Sequence, residues 1–358
     1  MKKNLIKLLS LTIAIASVGV ISGCDGNQVE TETVEITDMV NDVVTVKKNP
    51  RKVACVSRTS YDLLMAFGLE EYIDGAYEKT LANPWSQVFA PSSANHFSYE
   101  YQPSAELLLS RGVDLVFAPE QFIAEAYREQ GITAITMNLY GTPTFDAYLT
   151  YIPEMVMKLW DDEEVHEKAN KWITKVTSII DEIQTELAKY DLPKEKLFYI
   201  RGDKDKGIGY TDTMGSFVEY AYRVLGFNCM SSSLDYAGSK PSAEAICEFN
   251  PDVFIAGGFF QHKHVDDLKN TEPYNTLEAV KNNRIYTIPI GFTQMEQVNI
   301  FTPEFFCDQA NKLYPDIFNY DVASMLKNST KEWFNIELSN EQVQYILNGL
   351  SPTGESMA

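Results

Sequence analysis

PSAELLLSRGVDLVFAPE, residues 103–120, recurs 138 residues further along the chain as PSAEAICEFNPDVFIAGG, residues 241–258. Each copy begins with a serine suited to cap a helix (Ser104 or Ser242), continues as a short helical stretch and ends, after a turn, in an apolar run of strand length. The glutamate two residues after each serine suits the positive end of a helix dipole. This repeat predicts a chain built from two similar halves.

Apolar runs of strand length alternate with helical or loop segments in both halves, and this pattern predicts parallel sheets covered by helices on both faces. In the first half the predicted strands are residues 53–56, 72–76, 114–118 and 134–138. In the second half they are residues 196–200, 252–256, 284–288 and, more weakly, 228–231. We therefore predict an α/β protein of two Rossmann-like lobes with mainly parallel sheets.

One long amphipathic stretch, residues 161–190, separates the two halves. Its apolar residues follow helical spacing, acidic residues begin it and Pro193 stops it. A helix of about 28 residues spans about 40 Å, so this stretch predicts a single helical bridge between the lobes. The predicted organisation is a lipoprotein signal peptide over 1–23, a tether over 24–35, an N-terminal lobe over 36–160, the linking helix over 161–190, a C-terminal lobe over 191–335 and a helical tail over 336–358.

The first 24 residues, MKKNLIKLLSLTIAIASVGVISGC, place lysines before an uncharged apolar run and small residues after it. This pattern is typical of a secretory signal and is too short to cross a bilayer comfortably. Ile21-Ser22-Gly23-Cys24 resembles the bacterial lipobox, whose cysteine is acylated and becomes the new N-terminus. The alternative is an ordinary signal with an incidental cysteine. We expect Cys24 to carry lipid and to hold the protein on the extracytoplasmic face of the cell membrane.

Composition excludes several classes of protein. The chain has 358 residues, of which 45% are hydrophobic, so it is globular and long enough for two domains. With 30 basic and 50 acidic residues its net charge is −20, which disfavours nucleic acid as a partner. The wide spacing of the remaining cysteines predicts no disulfide framework, although one pair could form outside the cytoplasm; these cysteines are Cys55, Cys229, Cys247 and Cys307.

A lipoprotein of two α/β lobes joined by one long helix resembles the substrate-binding proteins of iron-complex ABC importers, the family that carries ferric siderophores, haem or cobalamin. KKNPRKV, residues 47–53, is similar to the family's opening element, and the two repeated blocks are similar to its paired signature. The first block departs from that signature, with Gly112-Val113 where the second has Asn250-Pro251.

The resemblance implies two partners. One is the ABC permease, because in the family a surface glutamate of each lobe docks into arginine pockets, and the matching positions are Glu106 and Glu244. The alternative is that each glutamate only places a negative charge at the N-terminus of its helix, where the helix dipole favours it. The other partner is the ligand, an iron complex such as a ferric siderophore or haem-like chelate. We expect a monomer without a separate cofactor.

Ligands of open α/β sheets bind beyond the carboxyl ends of the strands, so side chains that follow the predicted strands are candidates for ligand contact. Arg58 and Arg201 follow corresponding strands of the two lobes, and guanidinium groups suit carboxylate, catecholate or phosphate groups. For either arginine alone, an ordinary surface ion pair is the alternative. Aromatic residues at other strand ends suit planar rings. The predicted ligand-binding residues are Arg58, Tyr61, Tyr77, Trp85, Tyr99, Glu120, Tyr140, Arg201, Lys204, Tyr210, Phe260 and His262.

Direct chelation of a bare metal ion fits this chain poorly, since it has only four histidines and His262-Lys263-His264 puts a cation between two imidazoles. His262 is still a candidate axial ligand for haem or a cobalt centre. Catalytic motifs such as G-x-S-x-G, HExxH and a Walker loop are absent. We therefore predict a binding protein rather than an enzyme. The alternatives are a carrier of cobalamin or of another metal or oxoanion ligand, and a surface metal-handling enzyme on the same lobes.

Overall fold

The computed structural model describes residues 32–137, 145–234 and 240–358, so Cys24, the predicted signal and Tyr140 lie outside the described residues. The strands are β1 (Thr33–Thr37), β2 (Val43–Lys47), β3 (Val53–Cys55), β4 (Ile73–Tyr77), β5 (Phe97–Tyr99), β6 (Leu115–Ala118), β7 (Ala134–Thr136), β8 (Lys196–Ile200), β9 (Asn228–Cys229), β10 (Val253–Ala256) and β11 (Ile285–Thr287). The helices of the first lobe and the link are α1 (Arg58–Ala66), α2 (Glu78–Leu81), α3 (Ser86–Phe89), α4 (Ala105–Arg111), α5 (Gln121–Glu129), α6 (Phe145–Leu159) and α7 (Glu163–Leu187). Those that follow are α8 (Phe217–Val224), α9 (Ala243–Phe249), α10 (Gln261–Asn270), α11 (Glu278–Lys281), α12 (Thr302–Leu313), α13 (Val322–Phe334) and α14 (Asn340–Leu347).

Two parallel sheets share one strand order. The first lobe has β4-β3-β6-β7, with β5 added at the β4 edge, and the second has β9-β8-β10-β11. All pairs in both sheets are parallel. Each of the eight predicted strands has a counterpart here, which confirms the prediction of two similar α/β lobes; β1, β2 and β5 were not predicted.

The repeated sequence forms equivalent structure in the two lobes. Ser104 and Ser242 each accept a hydrogen bond from the backbone N–H three residues on, at 3.2 Å, and so cap α4 and α9. Both helices end at a residue in the left-handed conformation, Gly112 with φ of 69° and Asn250 with φ of 49°. Glycine and asparagine tolerate this conformation best, which explains how two different residues close the same turn.

A 25-residue helix, α7, occupies the segment for which the sequence predicts the linking helix. The Asp162 carboxylate caps it by accepting hydrogen bonds from two backbone N–H groups. Trp172 on this helix is fully buried, and its indole N–H donates to the carbonyl of Ile300 at 3.1 Å. The helix is thereby fastened to the segment that follows β11.

One hydrophobic core runs through both lobes. Alternate residues of β3 and β10 point into it, as do Trp172 and Val176 of α7. The opposite face of each sheet packs a smaller cluster of its own. Because close-packed side chains leave few voids, a shared core restricts movement of one lobe against the other.

Helix α13, near the C-terminal end of the chain, makes further contacts with the first lobe. Trp333 and Phe334 of α13 contact aromatic rings of the first lobe, with centroid distances of 6.5 Å to Phe67 and 5.5 Å to Phe89. Phe334 also contacts Phe292 and Phe301 of the second half of the chain, with centroid distances of 5.3 and 6.1 Å, so α13 lies against both lobes and its assignment to the second lobe stays a prediction.

The predicted end of the tether needs correction. β1 begins at Thr33 and pairs with β2, so residues 33–35 belong to the folded part rather than to the tether. Its side chains alternate, with Ile36 buried, so the hairpin covers apolar surface of the core. Cys247 is half-exposed, whereas Cys55, Cys229 and Cys307 are buried; all four are free thiols. Among the described residues, no helix combines the length and the apolar character that a bilayer span requires.

Candidate ligand-binding cleft

A cleft of about 520 Å³ lies between the lobes at the carboxyl ends of the strands. Arg58 begins α1 three residues after the end of β3, and Lys79 lies in α2 directly after β4. Arg201 directly follows β8, which has the position in its sheet that β3 has in the other. The charged residues that line the cleft are Arg58, Lys79, Arg201 and Lys204 on the cationic side and Asp203, Asp205, Asp212 and Glu296 on the acidic side.

Arg58 reaches across to the second half of the chain. Its Nη1 donates a hydrogen bond to Gln294 Oε1 at 3.2 Å, and its guanidinium lies 5.2 Å from the centre of the Tyr77 ring. The Tyr77 ring supports the guanidinium by cation–π attraction. Both residues were predicted from their positions after strands.

Arg201 is held by acidic and aromatic neighbours. Its Nη1 lies 3.2 Å from Asp212 Oδ1, and its guanidinium lies 5.3 Å from the centre of the Tyr210 ring. Tyr210 thus contacts Arg201 rather than the cleft described above. The charge of Arg201 is partly balanced by Asp212, so the second lobe does not present a simple cationic wall.

A shallower pocket of about 190 Å³ adjoins the cleft on the first lobe. Tyr77, Tyr101 and Glu120 line it, together with both arginines of the cleft. The Tyr101 hydroxyl donates to Glu120 Oε1 at 3.0 Å, and the rings of Tyr77 and Tyr101 meet edge to face at 5.8 Å. This pocket provides an aromatic surface next to the two guanidinium groups.

Tyr199 and Glu296 border the cleft from a buried position. Burial and, to a smaller extent, the negative charge of the neighbouring Asp212 raise the pKa of Glu296 to about 7, although backbone N–H groups and Arg201 oppose this shift. Burial, together with the negative charge of Glu296, raises the pKa of Tyr199 well above its ordinary value. We call these two residues the floor of the cleft.

Glycines allow the loops at this floor to approach each other. A Cβ on Gly202, after β8, would overlap the carbonyl oxygen of Gly257, after β10. A Cβ on Gly257 would lie 2.8 Å from the Tyr199 hydroxyl and 3.3 Å from Glu296 Cδ. Any side chain at either position would therefore push the floor apart.

Several predicted ligand contacts lie elsewhere. Tyr61, Trp85 and Tyr99 are buried in the protein, and the prediction that they line the cleft is not supported by their positions. Their polar atoms are hydrogen-bonded inside the fold: Tyr61 to His96 Nδ1 at 2.8 Å, Trp85 Nε1 to the carbonyl of Leu350 at 2.9 Å, and the Tyr99 hydroxyl to Asp74. Large aromatic side chains near strand ends gain more by burial than by exposure to an open cleft.

His262 is directed to the C-terminal segment, where its Nε2 is hydrogen-bonded to the carbonyl of Asn348 at 2.7 Å. This contact does not place it as an axial ligand in the cleft. Lys204 and Phe260 do line the cleft, as predicted. Among the residues that the structure describes, no three His, Cys, Asp or Glu side chains come close enough to hold a metal ion.

Sequence reasoning missed Lys79, Tyr199, Asp212 and Glu296 as residues of the cleft. Lys79 lies two residues after Tyr77, at the end of β4, so the same argument from strand ends could have found it. Glu296 lies nine residues after β11, too far from the strand for that argument. Tyr199 lies inside an apolar strand, and no local signal marks it as different from a core residue.

Glu106 and Glu244 are exposed in the first turns of α4 and α9. Short turns join the C-termini of these helices to the amino ends of β6 and β10, so their N-termini lie at the carboxyl edges of the two sheets. Each lobe therefore presents one of the two glutamates at the edge of the sheet that carries the cleft.

Two similar α/β lobes that enclose a charged and aromatic cleft define a solute-binding protein. The sequence profile of the periplasmic binding proteins matches residues 53–290, and the chain belongs to this family.

Relatives and solved structures agree with this assignment. The chain is 24% identical over 293 residues to the uncharacterized ABC transporter substrate-binding lipoprotein YvrC of Bacillus subtilis strain 168, covering 80% of this chain and 87% of that one. It is 24% identical over 186 residues to the Fe(3+)-citrate-binding protein YfmC of the same organism, covering 52% and 56%. The molybdate-bound periplasmic binding protein MolA of Haemophilus influenzae has the same fold, with a TM-score of 0.70 at 15% identity over 86% of this chain and 99% of that one.

Proposed function

We propose that this protein captures an iron chelate in the cleft between its lobes and delivers it to an ABC permease. Membership of the periplasmic binding protein family supports the role of carrier, and the relative described as an Fe(3+)-citrate-binding protein supports iron. The observation that carries the proposal is the pairing of Arg58 and Arg201 at equivalent strand ends of one cleft. Guanidinium groups bind the electron-rich oxygen atoms of metal-bound carboxylates, hydroxamates or catecholates.

The size of the cleft supports a chelate rather than a small oxoanion. Small-molecule sites of about 300–1,000 Å³ hold ligands of drug size, and this cleft has about 520 Å³. A tetrahedral oxoanion would leave most of this space to water. Binding rather than catalysis is the proposed activity, since the cleft needs only to hold its ligand and release it.

The proposal extends to attachment and docking. Cys24 carries the lipid that anchors the protein on the extracytoplasmic face of the membrane, and the tether links it to a monomeric folded body. Glu106 and Glu244 contact the permease, one from each lobe. Their exposure and their equivalent positions support this role, because a docking surface must be accessible on both lobes at once.

A direct binding experiment tests the proposed function. The purified protein is titrated with ferric citrate, ferrioxamine B, haem, cyanocobalamin and molybdate, and binding is followed by calorimetry. We expect at least one iron chelate to bind with micromolar or better affinity and molybdate to bind more weakly. Binding of cyanocobalamin or molybdate alone, or of none of the five, would contradict the proposal.

A further inference from the structure

The charges around the cleft are balanced. Four cationic and four acidic side chains line it. A cleft made only to hold a polyanion would place cations without nearby acids, because each carboxylate repels an anionic ligand. This balance indicates a ligand that carries groups of both kinds.

Two buried polar atoms at the floor lack a partner among the described residues. These are the hydroxyl of Tyr199 and Oε2 of Glu296, and both residues are less than a tenth exposed. Backbone N–H groups of Glu296 and Gly258 lower the pKa of the Glu296 carboxyl group, but its Oε2 has no hydrogen-bond partner. Buried polar atoms without partners destabilise a fold, so their presence beside a ligand cleft calls for a functional explanation.

We infer that Tyr199 and Glu296 form a subsite for a hydrogen-bond-donating group of the ligand, a protonated amine or a hydroxyl group. This inference rests on the proposed function. In the bound state the metal-bound oxygen atoms of the chelate face Arg58, and the donor group of its organic shell reaches the floor. A carboxylate accepts such a bond most strongly from a charged donor. The ligand is therefore a chelate of mixed charge, not a plain polyanion.

The surroundings of Glu296 favour a donor over an anion. The charged and titratable groups that act on its carboxyl group are Asp212, Arg201 and Tyr199. Arg201 already lies against Asp212, so it does not neutralise Glu296 on its own. An anionic ligand group at the floor would meet two carboxyl groups, whereas an ammonium or hydroxyl group would satisfy Oε2.

Ferrioxamine B and its N-acetyl derivative test this inference as a matched pair. Both present the same iron trihydroxamate, and only the first has a free ammonium group. We expect the wild-type protein to bind ferrioxamine B at least tenfold more tightly than the acetylated form. Equal binding, or tighter binding of the acetylated form, would overturn the inference and leave the proposed function standing.

Two variants separate the floor from the rest of the cleft. Glu296→Gln and Tyr199→Phe should each reduce the preference for ferrioxamine B at least threefold. Tyr199→Phe removes an unpartnered oxygen, so its melting temperature should equal or exceed that of the wild type while binding weakens. Tyr222→Phe is the control: Tyr222 is equally buried but donates to Gln309 Oε1 at 2.8 Å, away from the cleft. The Tyr222→Phe variant should have a lower melting temperature than the wild type and keep the preference for ferrioxamine B over its acetylated form.

The remaining outcomes are also decisive. If only another iron chelate of the panel binds, both floor variants are titrated with that chelate. An unchanged affinity in both overturns the inference, and a loss of at least tenfold in Glu296→Gln supports it. If no iron chelate binds the wild type, the proposed function fails and the inference fails with it.

Discussion

The carboxylate of Asp62 accepts a hydrogen bond from the backbone N–H of Ile300 at 2.8 Å, 238 residues further along the chain. Asp62 lies in α1 of the first lobe, and Ile300 lies between β11 and α12. Asn83 makes a similar tie, because its side-chain amide donates to the carbonyls of Gly291 and Phe292 at 3.0 and 2.9 Å. These bonds are buried together with the core that both lobes share, so we expect only limited closure around a ligand.

Loss of either cleft arginine should weaken binding. A charge-assisted hydrogen bond contributes about 1.5–3 kcal/mol, so Arg58→Ala should reduce affinity for the bound iron chelate about tenfold to a hundredfold. Arg201→Ala should cost at least as much, because it also removes the guanidinium that lies beside Asp212. Lysine at either position should restore only part of the affinity, since it lacks the planar guanidinium group with its parallel N–H donors. Calorimetric titration measures each change.

Arg51→Ala is the control for these variants. Arg51 lies over the Tyr72 ring at 5.0 Å and does not line the cleft. Its removal should leave affinity within twofold of the wild type. Affinities of the Arg58 and Arg201 variants that also stay within twofold would show that the ligand does not contact the guanidinium groups.

The double variant Glu106→Ala/Glu244→Ala should abolish uptake and leave ligand affinity unchanged within about threefold. Truncating one side of a buried interfacial ion pair costs about 2–5 kcal/mol, because the partner charge stays unpaired. Uptake of a radioactive iron chelate by whole cells measures the effect. Glu129→Ala/Glu248→Ala, which removes two other exposed helical glutamates, should transport normally. Normal transport by the first double variant would refute the docking assignment.

Cys24→Ser should release the protein from the membrane fraction. Two acyl chains hold a protein stably on a bilayer, since each buried CH₂ contributes about 0.8 kcal/mol. Cell fractionation followed by immunoblotting shows where each form resides. Mass spectrometry of the native N-terminus supplies an independent check, and an unmodified cysteine in membrane-bound protein would contradict the lipid anchor.

Asp62 should make stability depend on pH. Burial raises the pKa of its carboxyl group to about 7, although the bond from Ile300 opposes this shift. The folded protein therefore holds a proton that the unfolded chain gives up at much lower pH, so the contribution of Asp62 to stability falls as pH rises from the ordinary value of 3.8 to about 7 and is constant above that. Asp62→Asn keeps an acceptor for Ile300 and cannot ionise.

Thermal denaturation at two pH values measures this effect. The melting temperature of Asp62→Asn minus that of the wild type is the quantity to compare. This difference should be at least about 2 °C larger at pH 8.5 than at pH 5.5. Glu296 also has a raised pKa and stays in both proteins, so the comparison isolates Asp62. A difference between variant and wild type that is the same at both pH values would show that Asp62 does not ionise in this range.

Gly202→Ala should damage the cleft more than the rest of the fold. The added methyl group would overlap the Gly257 carbonyl and push apart the loops that hold the floor. We expect at least a tenfold loss of affinity and a lower melting temperature. Gly291→Ala is the control, because the nearest atom to its new methyl group, Met295 Cε, lies 3.5 Å away. Wild-type binding by Gly202→Ala would show that the floor tolerates movement.

The sequence alone was sufficient to predict the lobes and their strands. Apolar runs, capping serines and turn residues act over a few positions, so their pattern survives in the printed sequence. The repeated blocks became α4–β6 and α9–β10, which have equivalent places in sheets of the same order. Arg58 and Arg201 were also predictable, because they lie within three residues of the ends of equivalent strands.

Only the tertiary structure decided which polar and aromatic side chains reach the cleft. Trp85 and Tyr99 lie near strand ends yet point into the fold, because burial of a large ring outweighs its exposure. Tyr199 and Glu296 are 97 residues apart in sequence and meet at the floor because β8 and the segment after β11 are brought together by the sheet. Such long-range neighbours depend on the packing of whole elements, and no local pattern of residues encodes them.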